Sequence, residues 1–156
     1  MKSNVGSVGI ILDGEKILLM HRINNGKEYY TFIGGHKEGE ETPEETLIRE
    51  VREESSINIK PEKLLYRLGT EDGFVNYFLC KYISGTPKLG NDSIESEKIK
   101  RGNQSYEPVW VSIAELPLML VYPLEVKDWF LKDKEDNFND AFEEIIIEKE
   151  DRRQMI

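Results

Sequence analysis

Residues 35–57 read GHKEGEETPEETLIREVREESSI, and this stretch decides the fold. Thr42-Pro43-Glu44-Glu45 carries three helix-start signals: Thr42 as N-cap, Pro43 at the first helical position, and Glu45 three residues on to close a capping box. The spacing predicts a helix from Pro43 to Ser55. At roughly 100° per residue, Leu47, Ile48 and Val51 share one side and face a core. Glu50, Glu53 and Glu54 fall in a separate stripe, because positions three and four apart are neighbours on a helix. Like charges so placed destabilise a helix by a few tenths of a kcal/mol per pair, and Arg49 and Arg52 lie beside the stripe rather than in it. Clustered carboxylates on a rigid helix suit hard divalent cations, which take oxygen ligands and keep positions open for water and phosphate. A merely solvated acidic face is the plainer reading of the triplet alone.

Just upstream, Gly34-Gly35 is read as a turn in a glycine-rich acidic loop, where backbone approaches a ligand without side chains in the way. Glu41, just before the helix, is placed to support Arg49 or to reach the site through water. Further out, Val5–Leu12 and Lys16–Met20 flank Asp13-Gly14, a strong hairpin signal. Ile23–Glu28 reads as a polar loop and Tyr29–Ile33 as a short strand. Downstream, Glu62–Thr70 and Gly73–Ser84 form a second strand pair, and a long polar loop covers Gly85–Glu107. Pro108–Ser112 is a strand, Ile113–Leu116 a helical turn, and Pro123–Asp133 an amphipathic helix with Val126, Trp129 and Phe130 inward. Glu144–Glu148 (EIIIE) suits an added strand. This order lacks the strict alternation of a doubly wound parallel sheet. A mixed sheet with helices on its faces, an α+β fold, is expected.

The chain has 156 residues and no linker or repeat, so residues 1–156 are expected to form one domain. Acidic residues outnumber basic ones 30 to 21, for a net charge of −9. With no basic patch, binding to a nucleic-acid polymer is excluded. No apolar run approaches the roughly 20 residues of a membrane span, and the N-terminus is too weak for a signal peptide. A lone Cys80 rules out an internal disulfide framework and fits a reducing, cytoplasmic compartment.

The run Gly35-x5-Glu41-x7-Arg49-Glu50-Val51-x-Glu53-Glu54-x-Ser56-Ile57 resembles the Nudix box, with Ser56 where that box has glycine. The flanks are similar too: Tyr29–Ile33 before Gly34-Gly35, and Pro108–Ser112 followed by Ala114-Glu115-Leu116. The resemblance implies a Nudix-type α/β/α sandwich with a mixed β-sheet. It also implies hydrolysis, dependent on Mg²⁺ or Mn²⁺, of a nucleoside diphosphate linked to another group X, a small nucleotide-type substrate. By position, Glu50, Glu53 and Glu54 become metal ligands, one of them also the base for an attacking water. Arg49 becomes the residue that orients them, and the Gly35 carbonyl a further ligand. Of Asp92, Glu95 and Glu97 in the loop before the last core strand, Glu97 is the expected additional ligand. The family often forms homodimers. A non-catalytic nucleotide-sensing module on the same scaffold is the alternative, but such modules usually lose a box carboxylate and this chain keeps all of them. Ser56 falls just past the helix end, where a left-handed residue is needed. Arg22 and His36 are lesser candidates for substrate contact. Tyr30, Phe74, Tyr77 and Tyr106 are candidates for stacking on a base, with core packing as the plainer role; Trp110 and Trp129 are assigned to packing.

Overall fold

The first strand, β1 (Val5–Asp13), has no polar face: Ser7 and Gly9 alternate with Val8 and Ile10, and all are buried. Such a strand must be covered on both sides. In the computed structural model, which describes residues 4–69, 72–90, 104–139 and 141–146, β1 lies at the centre of a mixed sheet. The other strands are β2 (Lys16–Asn24), β3 (Lys27–Thr31), β4 (Ile33–His36), β5 (Asn58–Gly69), β6 (Phe74–Ser84), β7 (Gln104–Ser112), β8 (Val121–Tyr122) and β9 (Glu143–Ile146). Two α-helices, α1 (Pro43–Ser55) and α2 (Leu124–Asp133), flank the sheet, with a 3₁₀ helix at Ile113–Leu118.

The main path runs β8-β3-β2-β1-β6-β5-β9, with β4 also paired to β1 and β7 to β2. β1 runs parallel to β6 and antiparallel to β4 along its first half and to β2 near its end. Strand alternation sorts the apolar residues into two cores. Val8, Ile10, Ile17, Leu19, Val75 and Tyr77 pack with Val126 and Phe130 of α2. Ile11, Leu18, Met20, Ile33, Phe78 and Cys80 pack with Leu47 and Val51 of α1. The result is a three-layer α/β/α arrangement. No helix among the described residues is long and apolar enough to cross a membrane.

Several local expectations are corrected. Gly34-Gly35 is not a turn: both glycines lie in β4, paired with Val8 and Ser7 of β1. The supposed loop at Ile23–Glu28 is a hairpin, with β2 reaching Asn24 and β3 starting at Lys27. Its two central residues, Asn25 and Gly26, both have positive φ (51° and 83°), the I′ arrangement that Asn-Gly favours. In the first hairpin Asp13 remains in the strand, opposite Lys16, and Gly14 takes the positive φ (59°). β5 begins at Asn58 rather than Glu62 and passes through Pro61, with register shifts on either side of that proline. EIIIE does contribute a strand, β9, which adds in parallel to the outer edge of β5. Residues 147–148 of that segment lie outside the described residues.

Helix α1 has the predicted bounds and cap. Thr42 Oγ1 accepts from the Glu45 N–H (3.1 Å), and Glu45 Oε1 accepts from the Thr42 N–H (2.9 Å). At its other end Ser56 adopts φ 64°, ψ 20° and donates its N–H to Arg52 O (3.0 Å). Its hydroxyl donates to Lys88 O (2.8 Å), while Lys88 N–H donates to Ser55 O (2.8 Å). The chain after β6 therefore passes over the helix end, satisfying the Ser55 carbonyl and taking the Ser56 hydroxyl as a donor. Replacing Ser56 by Gly removes a left-handed penalty of about 1 kcal/mol. It also removes a hydroxyl bond worth about 1 kcal/mol. Ser56→Gly should thus leave the urea midpoint nearly unchanged. Ser56→Val, with neither compensation, should lose about 2 kcal/mol or more in the same titration.

Candidate active site

Helix α1 lies across β4 and β1, and its two stripes meet two kinds of floor. Leu47 and Val51 sit over the apolar stretch around Ile33 and Phe78. Glu50, one turn from the first, sits over Gly35. A Cβ on Gly35 would run into the Glu50 carboxylate and come within 2.7 Å of its Cγ, so only glycine fits beneath this side chain. Glu50 is accordingly 2% exposed, and Glu54 is 9% exposed. Glu53 differs: its side chain is 52% exposed. Two of the three stripe carboxylates are thus packed under the helix and one faces solvent.

Arg49 holds this group together. Its Nε and Nη2 grip Glu41 in a two-point pair (2.6 Å to Oε2, 2.9 Å to Oε1). Nη2 also donates to the His36 carbonyl (3.0 Å). Nη1 lies 2.9 Å from Glu50 Oε1, 2.8 Å from Glu38 Oε2 and 3.4 Å from Glu53 Oε2. The side chain that the helical wheel put beside the stripe therefore reaches into it, since a guanidinium on a three-carbon stem is not confined to the direction of its Cβ. Glu41 also accepts from Thr46 Oγ1 (3.1 Å) and from the Glu38 N–H (2.9 Å). The Arg49 bonds, foremost, lower the Glu41 carboxyl from its ordinary 4.5 to about 2, and the same pairing raises Arg49 further above its usual range.

Glu50, Glu53 and Glu54 offer oxygen donors, the type hard divalent cations take, and Gly35 lets the Glu50 carboxylate come down against its backbone. As placed, however, no three His, Cys, Asp or Glu side chains among the described residues are gathered into a metal-holding cluster. Arg49 takes up Glu50 Oε1 and reaches Glu53 instead. Glu97, with Asp92 and Glu95, lies outside the described residues.

Of the lesser candidates, Tyr77 is fully buried and belongs to the core, where burial raises its hydroxyl pKa. Tyr106 is buried with Arg22 over its ring (4.8 Å), and Arg22 Nε donates to Thr31 Oγ1 (3.0 Å). Tyr30 stacks on His21 at 4.7 Å, and Phe74 lies under Arg67 at 4.7 Å. His36 contributes its carbonyl to Arg49. Trp110 and Trp129 pack edge-on or tilted against Tyr82 and Tyr66, both at 5.3 Å. Two residues at the site escaped the sequence reading. Glu38 was one more acid in an acidic loop, three before Glu41. Ser7 was one small residue in an aliphatic run, although its parity with Ile11 puts it on the α1 side of β1.

Known proteins share this fold. Residues 3–131 match the NUDIX domain family, so the chain belongs to that family. An ADP-ribose pyrophosphatase of Methanocaldococcus jannaschii is 38% identical over 96 residues, which is 57% of this chain and 57% of that protein. The match thus spans little more than half the length of that curated relative. Among solved structures, a NUDIX hydrolase from Nitrosomonas europaea superposes with a TM-score of 0.74 at 19% identity, covering 96% of this chain and 81% of that one. An ADP-ribose pyrophosphatase from Streptococcus suis gives 0.61 at 14% identity, covering 92% and 98%. At such identities these structures establish the fold.

The Glu41 pairing has a consequence for stability. Its carboxyl binds a proton more readily unfolded than folded, so the pair's contribution is complete above about pH 4.5 and is lost as pH falls toward about 2. Glu41→Gln should lower stability at pH 7 and flatten the stability profile between those pH values; chemical denaturation at stepped pH checks it.

Proposed function

We propose that the protein hydrolyses a pyrophosphate bond in a nucleoside diphosphate linked to a second group, with a divalent cation as cofactor. The observation that carries this reading is the buried Glu50 carboxylate, seated against Gly35 and tied by Arg49 to the neighbouring acids of one helix turn. Glu50, Glu53, Glu54 and the Gly35 carbonyl would hold the cation, with Glu97 as a further donor. When bound, Mg²⁺ or Mn²⁺ neutralises the diphosphate and lowers the pKa of water.

The chain's own residues then divide the work. Arg49 fixes the orientation of Glu50 through a charge-assisted bond and shields the helix from repulsion among its acids. One helix carboxylate takes a proton from the attacking water as a new P–O bond forms and the bridging P–O bond breaks, leaving two phosphomonoesters. Glu53, exposed and 3.4 Å from Arg49 Nη1, would join Glu50 and Glu54 in holding the cation. The name of the 38% identical relative supports ADP-ribose as the first substrate to try.

A panel of ADP-ribose, sugar nucleotides, canonical and oxidised dNTPs and dinucleoside polyphosphates, assayed with Mg²⁺ and with Mn²⁺, tests the activity. Glu53→Gln and Glu54→Gln should each lower kcat by about 10²- to 10⁴-fold while circular dichroism stays unchanged. Saturating Mg²⁺ should raise Tm, by about 2.7 kcal/mol of stabilisation at a hundredfold excess over Kd. Undiminished turnover in both variants would remove the assigned site. Nucleotide binding with no turnover on any substrate would leave a binding module instead.

A further inference from the structure

We propose that Ser7 is a positioning residue for the Glu50 carboxylate, one that makes its hydrogen bond when the site is loaded with a divalent cation. Ser7 is 1% exposed, and its Oγ has no hydrogen-bond partner among the described residues. A buried hydroxyl without a partner weakens a fold, and alanine at the same place would remove that cost.

Ser7's location accounts for it. Ser7 stands directly opposite Gly35 in the β1–β4 pairing and opposite Asn76 in the β1–β6 pairing. Paired residues project to the same face, with Cβ positions roughly 5 Å apart. On that face the place where a Gly35 Cβ would stand is filled by the Glu50 carboxylate. Ser7 therefore stands beside Glu50 on the floor under α1. The next residue across is Asn76, 3% exposed, whose Oδ1 accepts from Arg67 Nε at 2.9 Å. The floor is thus polar at this register and apolar one step along the strands, where Gly9 pairs with Ile33 and Phe78.

In the structure Glu50 Oε1 belongs to Arg49. Turning this carboxylate toward a cation moves it relative to Arg49, and a neighbouring hydroxyl can then orient it from below. Groups that orient metal ligands in this way typically contribute about 10- to 100-fold to metal affinity or activity.

The inference rests on the proposed metal-dependent hydrolysis, and three measurements separate the two. Ser7→Ala should leave the metal-free Tm unchanged or higher. It should weaken Mn²⁺ binding, followed by electron paramagnetic resonance without substrate, by about tenfold. It should also lower kcat on the substrate the panel identifies by about tenfold, with KM little changed. Ser7→Thr, which keeps the hydroxyl, should recover most of the Mn²⁺ affinity. Wild-type Mn²⁺ affinity and kcat in Ser7→Ala would overturn the role of Ser7 while leaving the hydrolase reading intact. A drop in metal-free Tm with unchanged Mn²⁺ affinity would reduce Ser7 to packing. Wild-type protein that neither binds Mn²⁺ nor turns over any substrate would overturn both.

Discussion

The two-point pair between Arg49 and Glu41 is the constraint on which the site depends. A guanidinium offers five N–H donors in one plane, and here they reach the loop, the end of β4 and the helix together. Glu38 and Glu41 come from the loop, His36 from the strand, and Glu50 and Glu53 from α1. A lysine ammonium, a point charge with three rotatable donors, could not hold the same set in fixed geometry. Without the Arg49 guanidinium the four carboxylates would repel one another across a short span, most strongly at the buried Glu50. The same contacts that make an acidic cluster tolerable also fix where each carboxylate points.

The sheet beneath supplies the second half of the design. β1 is buried on both faces, and the register of β4 against it brings Gly35 under Glu50. A one-residue slip in that pairing would put Gly34 on the α1 face and turn Ser7's neighbour to the opposite core. Gly34 is equally hard to replace, because a side chain there would collide with the Ser7 carbonyl and Val8. Helix and sheet are matched stripe to stripe: apolar residues over apolar floor, carboxylates over polar floor. Leu47 and Val51 thereby hold the helix at the height where Glu50 meets glycine.

Much of this was legible in the residues themselves. Capping is a local property, so Thr42, Pro43 and Glu45 specified the helix start to the residue. The box spacing carried the family and the three-layer fold, and Ser56 took the left-handed conformation its position demanded. Features set by tertiary partners were not legible. Gly34-Gly35 has the composition of a turn and becomes strand because β1 needs a backbone partner that leaves space for a helix. Asn25-Gly26 carried a hairpin signal that the flanking polar residues concealed, since this hairpin's outer face is wet. The strand expected from Glu62 begins four residues earlier, because β5 accommodates Pro61 between register shifts. The helical wheel located Cβ atoms and could not follow the long Arg49 side chain into the stripe to Glu50 and Glu53, although the support from Glu41 was expected. Nor could it show that Glu50 would be buried and Glu53 exposed on one stripe.

The parallel docking of β9 on β5 joins residues far apart in the chain: Tyr66 lies opposite Glu143, and Gly69 opposite Ile146. That margin of β5, whose Tyr66 and Leu68 turn to the α2 core, has no other strand beside it among the described residues. Without β9 it would present a row of unpaired amides and carbonyls, the kind of template on which neighbouring chains can pair. A four-residue strand thus guards a sheet edge against strangers.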